Sequence, residues 1–413
     1  MAIIILLSLL AIFLTGCTNE VEYIPDMEIS TLERNILAFE RNQAFEDIGI
    51  AMSCFSQNLF REILVSGKEN AVISPLSVYY VLAMVALGAN EDTLYEFQAI
   101  LGKAPQDLAL KLASIAQSLL NIEGSTKLNL AGSIWICDEF MIKPEFNHNV
   151  IYFFNAYVRS RNFLCNDTIG EINHWIYSQT KGLLYEVIEK IDEDAIMLLI
   201  NTLYLSAKWA SSFNPMNANI NTFFLECGNK IETTFLSTNH FITLAISVTD
   251  YYEAVLLPYD DDRLGFFAVR PTDGTYIRDF VSTHDLMSIV NGLYIHHEVL
   301  VCIPKLDKEF DIGMNDSLQK LGLISAFDGR LANLQGLVEG YDPVYIYEVR
   351  QKVRITVNTE GTEAAAATIV TPSAETSLLQ PIELNFNTPY VYIIFDNKTG
   401  AILFMGIVDN PSS

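Results

Sequence analysis

Apolar residues recur at helical spacing through residues 45–65, where Ile48, Met52, Phe55, Leu59, Phe60 and Ile63 share one face and predict an amphipathic helix. Residues 70–89 are apolar on all sides. Ser74 is a candidate N-cap, Pro75 fits the first helical position and Gly88 a stop, so this is predicted to be a central, buried helix. Residues 129–136 read as a strand and 143–156 as a helix. Residues 196–209 have the unbroken apolar character of a strand covered on both faces. Asn201 lies inside that run, a buried polar group that must find partners. Further strands are predicted within 223–237, 253–259 and 265–271. Strands and helices are interspersed and no internal repeat is present, a mixed α+β pattern.

One segment fits neither pattern. Residues 359–380 read T-E-G-T-E-A-A-A-A-T-I-V-T-P-S-A-E-T-S-L-L-Q. They begin small, turn β-branched at Thr368 to Thr371 and end polar around Pro372 and Pro381. β-Branched residues suit a strand, and small ones suit a segment that must enter a crowded place. Taken alone, the four alanines favour a short helix between Gly361 and Pro372, alanine being the best helix former.

The 413 residues are 50% hydrophobic and 18% charged, enough for one large core or two ordinary ones. The formal net charge is -25, which argues against nucleic acid as a partner and against docking on anionic membrane through a basic face. Residues 1–13 are almost entirely apolar and precede Leu14-Thr15-Gly16-Cys17. The run is too short to span a bilayer and fits a signal-peptide core. L-T-G-C resembles a bacterial lipoprotein box, implying a signal peptide over 1–16 and a diacylglycerol on Cys17, although no Lys or Arg precedes the apolar core. An uncleaved apolar anchor is the alternative. Both place the body outside the cytoplasm, on an outer membrane, a cell surface or in the extracellular space. Residues 17–42 then form an acidic tether. Beyond Cys17 the cysteines are Cys54, Cys137, Cys165, Cys227 and Cys302, an odd number without paired spacing, read as mostly buried free thiols. No G-x-S-x-G, H-E-x-x-H, phosphate loop or dinucleotide fingerprint is present, and His296-His297-Glu298 lacks metal-ligand spacing. No enzymatic activity, metal or cofactor is expected.

Several motifs in one order resemble the serpins. They are N-A-V-I-S-P-L-S-V-Y-Y at 70–80, the segment 171–184 with Asn173, Trp175, Thr180 and Gly182, and residues 299–310 and 318–327. E-V-R-Q-K-V-R-I-T-V-N-T-E-G-T-E-A-A-A-A-T follows at 348–368, N-T-P-Y at 387–390 and G-A-I-L-F-M-G-I-V-D-N-P at 400–411. The resemblance runs from about residue 45 to 411 and implies an α+β domain over 43–413. Three sheets, eight or nine helices and an exposed reactive-centre loop at about 359–380 are expected. It also implies a monomeric suicide inhibitor of serine proteases, with cysteine proteases as a second class. A target protease is acylated on the loop, which then inserts into the main sheet. The implied hinge is Thr359, Glu360, Gly361, Thr362, Glu363, Ala364, Ala365, Ala366 and Ala367, with Glu363 facing outward after insertion. The family's spacing from the hinge implies a scissile bond at Glu375–Thr376, and its spacing back from Asn387 in members with short distal loops implies Leu378–Leu379. Ser74, Ser77, Asn201 and Gln351 match a polar cluster beneath the opening sheet, with Gln351 replacing a histidine, and Trp209 matches an aromatic at its top. Thr359 stands where an acidic residue is usual, so no hinge salt bridge is expected. The helix over 105–120 carries only Lys111, so no heparin site is expected. The other functional class compatible with the resemblance is a non-inhibitory lipoprotein of the same fold, a binding module or protease substrate.

Overall fold

The computed structural model describes residues 45–412, apart from 185–186, 214, 239, 262, 341–343 and 363–379. The signal segment, the tether with Cys17, hinge residues Glu363 to Ala367 and both candidate scissile bonds lie outside the described residues.

The chain opens with α1 (Phe45–Val65), β1 (Val72–Ile73), α2 (Pro75–Ala86), α3 (Glu91–Leu101) and α4 (Pro105–Leu120). β2 (Lys127–Cys137), α5 (Pro144–Phe154), β3 (Tyr157–Arg161), α6 (Asn166–Gln179) and β4 (Met197–Lys208) follow. Next come β5 (Asn219–Phe224), β6 (Lys230–Ser237), β7 (Ile242–Val248), β8 (Tyr252–Pro258) and β9 (Leu264–Pro271). After α7 (Ile277–Thr283) and α8 (Leu286–Asn291) come β10 (Tyr294–Pro304), β11 (Leu306–Gly313) and α9 (Asn315–Lys320). The chain closes with β12 (Glu348–Val357), β13 (Gly361–Thr362), β14 (Ile382–Asn385), β15 (Tyr390–Asp396) and β16 (Ile402–Val408).

Six strands make one sheet, ordered β11–β12–β13–β4–β2–β3. Ten make the other, ordered β1–β16–β15–β9–β8–β7–β10–β6–β5 with β14 beside β10. The expected third sheet is the β5–β6–β14 end of this network. β10 belongs to both ends, pairing β7 up to Val299 and β6 from Cys302, with an irregular register between His296 and Val299 where the strand can change direction.

Every residue of α2 is buried, as its lack of a polar face predicts, and the helix packs on both sheets. Ser74 is its N-cap residue by backbone geometry and Pro75 is at its first turn, but the Ser74 side chain makes no capping bond. Its backbone is held instead by Gln351. The helix ends at Ala86, two residues before Gly88. Gly88 serves close packing instead: a Cβ on its neighbour Gly336 would stand 2.6 Å from the Gly88 Cα.

β4 separates two apolar compartments. Met197 and Leu199 join the main core, whereas Leu198 and Ile200 join a second cluster with Trp135, Ile172, Trp175 and Ile176 under α6. Alternation across a strand thus explains the run of apolar residues that periodicity alone could not divide between faces.

The cysteines depart from expectation. All five in the described residues are free, but Cys54, Cys165 and Cys227 are exposed and Cys137 and Cys302 half-buried. Cys54 sits on the outer side of α1, Cys165 caps α6 and Cys227 lies in the β5–β6 turn, places where no core can form around a thiol.

Asp396 is fully buried at the end of β15 and receives both arms of Arg263, at 2.6 and 2.7 Å, while Arg263 also donates to the Ser118 carbonyl at 2.7 Å. Removing the arginine would strand a buried charge. Arg263→Leu is expected to destabilise the fold by about 3–5 kcal/mol, measurable as a lowered denaturation midpoint. An unchanged midpoint would show that Asp396 is satisfied without it.

Candidate functional site

The chemistry concentrates along the seam between β4 and β12. These strands run parallel and pair only from Leu198–Glu348 to Asn201–Gln351. Above that level no β-pairing joins residues 202–206 to 352–356 among the described residues. The strands are joined again through β13, where Thr362 pairs with Ala207 and Val357, antiparallel to both. β13 therefore occupies the top of a slot that continues down to Asn201.

The top of the seam is built around a tight turn. The Asn358 side chain accepts from the amides of Glu360 and Gly361 at 2.9 and 3.2 Å, an arrangement asparagine favours. A Cβ at position 361 would lie 2.0 Å from the Ala207 carbonyl oxygen and 2.7 Å from the Lys208 Cα, so only glycine fits. Trp209 donates its ring N–H to the Asn358 carbonyl at 2.9 Å and its amide to the Glu360 carbonyl at 2.9 Å. Phe213 donates to the Thr359 carbonyl at 2.9 Å. Trp209 stacks on Tyr259 at 4.7 Å, and the buried Tyr259 hydroxyl is 2.6 Å from the Thr362 hydroxyl. Burial pushes the Tyr259 phenol far above its ordinary pKa, so it stays protonated. Among the described residues neither Thr359 nor Glu360 forms an ion pair, and one Glu360 carboxylate oxygen is buried without a partner. An unpartnered acceptor in that position opposes the seated hinge.

The lower limit of the slot is a neutral polar cluster. The Gln351 amide donates toward the Ser74 carbonyl at 2.9 Å, the Ser77 hydroxyl at 2.7 Å and the Asn201 side-chain carbonyl at 2.7 Å. Its own carbonyl accepts from the Ser74 amide at 2.9 Å, and Ser77 donates to Asn201 at 2.6 Å. The Ser74 hydroxyl, the Asn201 amide nitrogen and the Thr202 hydroxyl are buried with no partner. Native interiors hold few such groups, and with the Glu360 oxygen four adjoin this seam. Gln351 has the two roles a neutral amide allows, donor and acceptor, and no charge.

Ser74, Ser77, Asn201 and Gln351 are thus brought together, and at the other end of the slot Trp209 meets Glu360, while Phe213 meets Thr359 and Tyr259 meets Thr362. Three contributors had no signal in the sequence reading: Tyr259, Asn358 and Phe213. The N-T-E-G turn order was the one available hint for Asn358. Along the outer face, Arg350, Lys352 and Arg354 of β12 pair with Asp311, Glu309 and Asp307 of β11 at 2.8–3.1 Å, tying those two strands into one unit. In α4, Lys111 lies 3.4 Å from Asp107.

A family model described as "Serpin (serine protease inhibitor)" matches residues 51–411. An uncharacterised serpin-like protein of Thermococcus kodakarensis is 26% identical, covering 99% of this chain and 98% of its own. Plasminogen activator inhibitor 1 of Sus scrofa is 26% identical over 86% of this chain and 91% of its own. Among solved structures, the thermophilic serpin tengpin in its native state superposes with a TM-score of 0.82 at 28% identity, covering 90% of this chain and 96% of that one.

The neutrality of the cluster has a measurable consequence. Gln351 should contribute no pH dependence. Gln351→His would introduce a buried imidazole whose folded pKa lies below its unfolded value of about 6.5, because burial penalises the cation. Its stability contribution is then complete above about pH 6.5 and is lost as pH falls below it. Thermal midpoints of variant and parent, compared from pH 5 to 8, test this; a difference that does not vary with pH refutes it.

Proposed function

The chain belongs to the serpin family, and from this we propose that it is an irreversible suicide-substrate inhibitor of serine endopeptidases, with cysteine endopeptidases as a second class. The carrying observation is the slot between β4 and β12, already entered at its top by Gly361 and Thr362.

The register of Thr362 defines how a strand would continue. Antiparallel to both neighbours, it would put Ala364 and Ala366 toward the core opposite Leu205 and Leu203, and Thr368 opposite Asn201 and Gln351. The alanines add little bulk where bulk would stall entry. The Thr368 hydroxyl would meet the unpartnered Asn201 amide and Ser74 hydroxyl, turning orphaned groups into hydrogen bonds. Glu363 would face outward, diagonal to Lys208 and Arg354, where a carboxylate is welcome.

In this mechanism the protease nucleophile attacks the carbonyl of Glu375, with Leu378 as the alternative, and expels the amine of the next residue to leave an acyl-enzyme. The freed strand zips down the slot, exchanging orphaned groups for ladder bonds. From the level of Thr362 to that of residue 375 the displacement is about 40 Å at 3.3 Å per residue. Dragged that far, the protease loses the donor alignment its oxyanion hole needs to finish hydrolysis. The chain itself performs no turnover; a metastable native state held by a kinetic barrier supplies the work.

We further propose that Cys17 carries a lipid, that 17–42 is a tether, and that the monomeric domain works outside the cytoplasm on a membrane surface. The LTGC box and the apolar residues 1–13 support this.

Mixing the chain with elastase-, subtilisin-, trypsin- and Glu-specific proteases is expected to give an SDS-stable complex with at least one. The released peptide should begin at Thr376, and nicking in the loop should raise the thermal midpoint. Thr362→Arg should abolish trapping and leave simple cleavage. Cleavage without a complex in the parent chain assigns it as a substrate or binding protein, and a peptide starting at Leu379 moves the scissile bond.

A further inference from the structure

At the seam's lower end the ladder gives way to side-chain bonds. Just beyond Leu198 and Glu348, the segments leading into β4 and β12 border a cleft of about 470 Å³ lined by Lys190, Asp192, Tyr347 and Arg350 among others. Three bonds cross there. The Tyr347 amide donates to the Met197 carbonyl at 2.9 Å and the Tyr345 hydroxyl to the Asp194 carbonyl at 3.3 Å. The Tyr347 phenol donates to the Asp192 carboxylate, whose other oxygen holds Lys190 at 2.9 Å. On its own side Tyr347 is fixed by Asn315, which donates to the Tyr347 carbonyl at 2.7 Å and accepts from the Val349 amide at 2.9 Å. The tyrosine is therefore a braced arm reaching across the seam. The carboxylate beside it pushes the phenol up to about 12, and the phenol, then Lys190, hold Asp192 below the usual carboxylate range. Donor and charged acceptor both persist at neutral pH, the stronger kind of hydrogen bond.

We propose that the Tyr347–Asp192 bond is a clasp governing the last stage of strand insertion, and with it whether an attached protease is trapped or released. The inference rests on the insertion mechanism above. A strand in the register of Thr362 reaches Asn201 and Gln351 after six residues and Met197 and Tyr347 after ten. Entry gains ladder bonds outright as far as Asn201, and from there to Leu198 it exchanges one set for two, because both seam edges gain a partner. The phenol–carboxylate bond has no such replacement, so opening it adds to the barrier without return. Any residue of the loop beyond the tenth passes only once it has parted. Trapping requires this final advance to outrun deacylation, which makes Tyr347 and Asp192 positioning residues for the inhibitory step.

Tyr347→Phe removes only the hydroxyl, and Asp192→Asn keeps the shape but weakens the acceptor. Each is expected to shorten the half-life for heat-driven loss of inhibitory activity of the intact chain about three- to tenfold, the scale of one hydrogen bond to a half-exposed carboxylate. Each should also raise the fraction of cleaved chain that ends in covalent complex. The double variant should do no more than Tyr347→Phe alone, which already removes the bond. The thermal midpoint of the loop-nicked form should not move, because the clasp is already open there; a merely structural role would lower it. Half-lives within twofold of the parent, additive effects or a lowered midpoint of the nicked form overturn the clasp while leaving the inhibitor reading intact. A parent chain that neither traps protease nor gains heat resistance on nicking removes both.

Discussion

Everything distinctive in this molecule follows from two parallel strands that are joined over four residue pairs and then part. A separated parallel pair has one simple remedy, an antiparallel strand between them, and β13 is the first two residues of such a strand. The demands on local chemistry follow from that. Position 361 tolerates no Cβ because it slides against the Ala207 carbonyl. Position 362 is small and carries a hydroxyl because Tyr259 waits opposite. The cluster at the slot's floor holds spare donors and acceptors that the native state leaves unmet. On the proposed mechanism the contacts that would satisfy them lie on the far side of a rearrangement, so the native state would be held kinetically.

The elements with strong periodicity were legible. A twelve-residue helix apolar on every side but for Ser77, behind a Ser-Pro start, has few alternatives, and the run through Met197 to Lys208 is a strand, buried on both faces as far as Thr202. The two-residue strands β1 and β13 carry no periodicity at all and exist only by tertiary pairing. The residues alone left the alanine segment between helix and strand, and the family resemblance supplied its role. Ser74 misled in one respect: its sequence position signals a cap, but tertiary partners claim its backbone and its hydroxyl stays idle. The cysteines misled because thiols are usually buried, and nothing local says that Cys54 faces outward from α1. Contacts such as Tyr347 with Asp192 join residues 155 apart through long-range register, which no short motif encodes.

The two halves of the six-stranded sheet are held differently. β11 and β12 are stapled by three diagonal ion pairs on a surface where each alone would count for little, yet their regular spacing resists relative slip of the two strands. β4 is tied to β2 along ten register pairs. Among the described residues these halves are joined by the short ladder, the two residues of β13, the neutral cluster and a few side-chain bonds at either end, so the seam is a weak line across the sheet.

The division of the interior at β4 bears on how that line can open. Leu198 and Ile200 have their own apolar compartment beneath α6, while Met197 and Leu199 face the main core with α2. A plate that travels with its own oily lining bares little hydrocarbon to water as it shears. Lateral motion of β2, β3 and β4 with α6 would therefore cost little in hydration terms, leaving polar contacts across the seam as the main resistance to it.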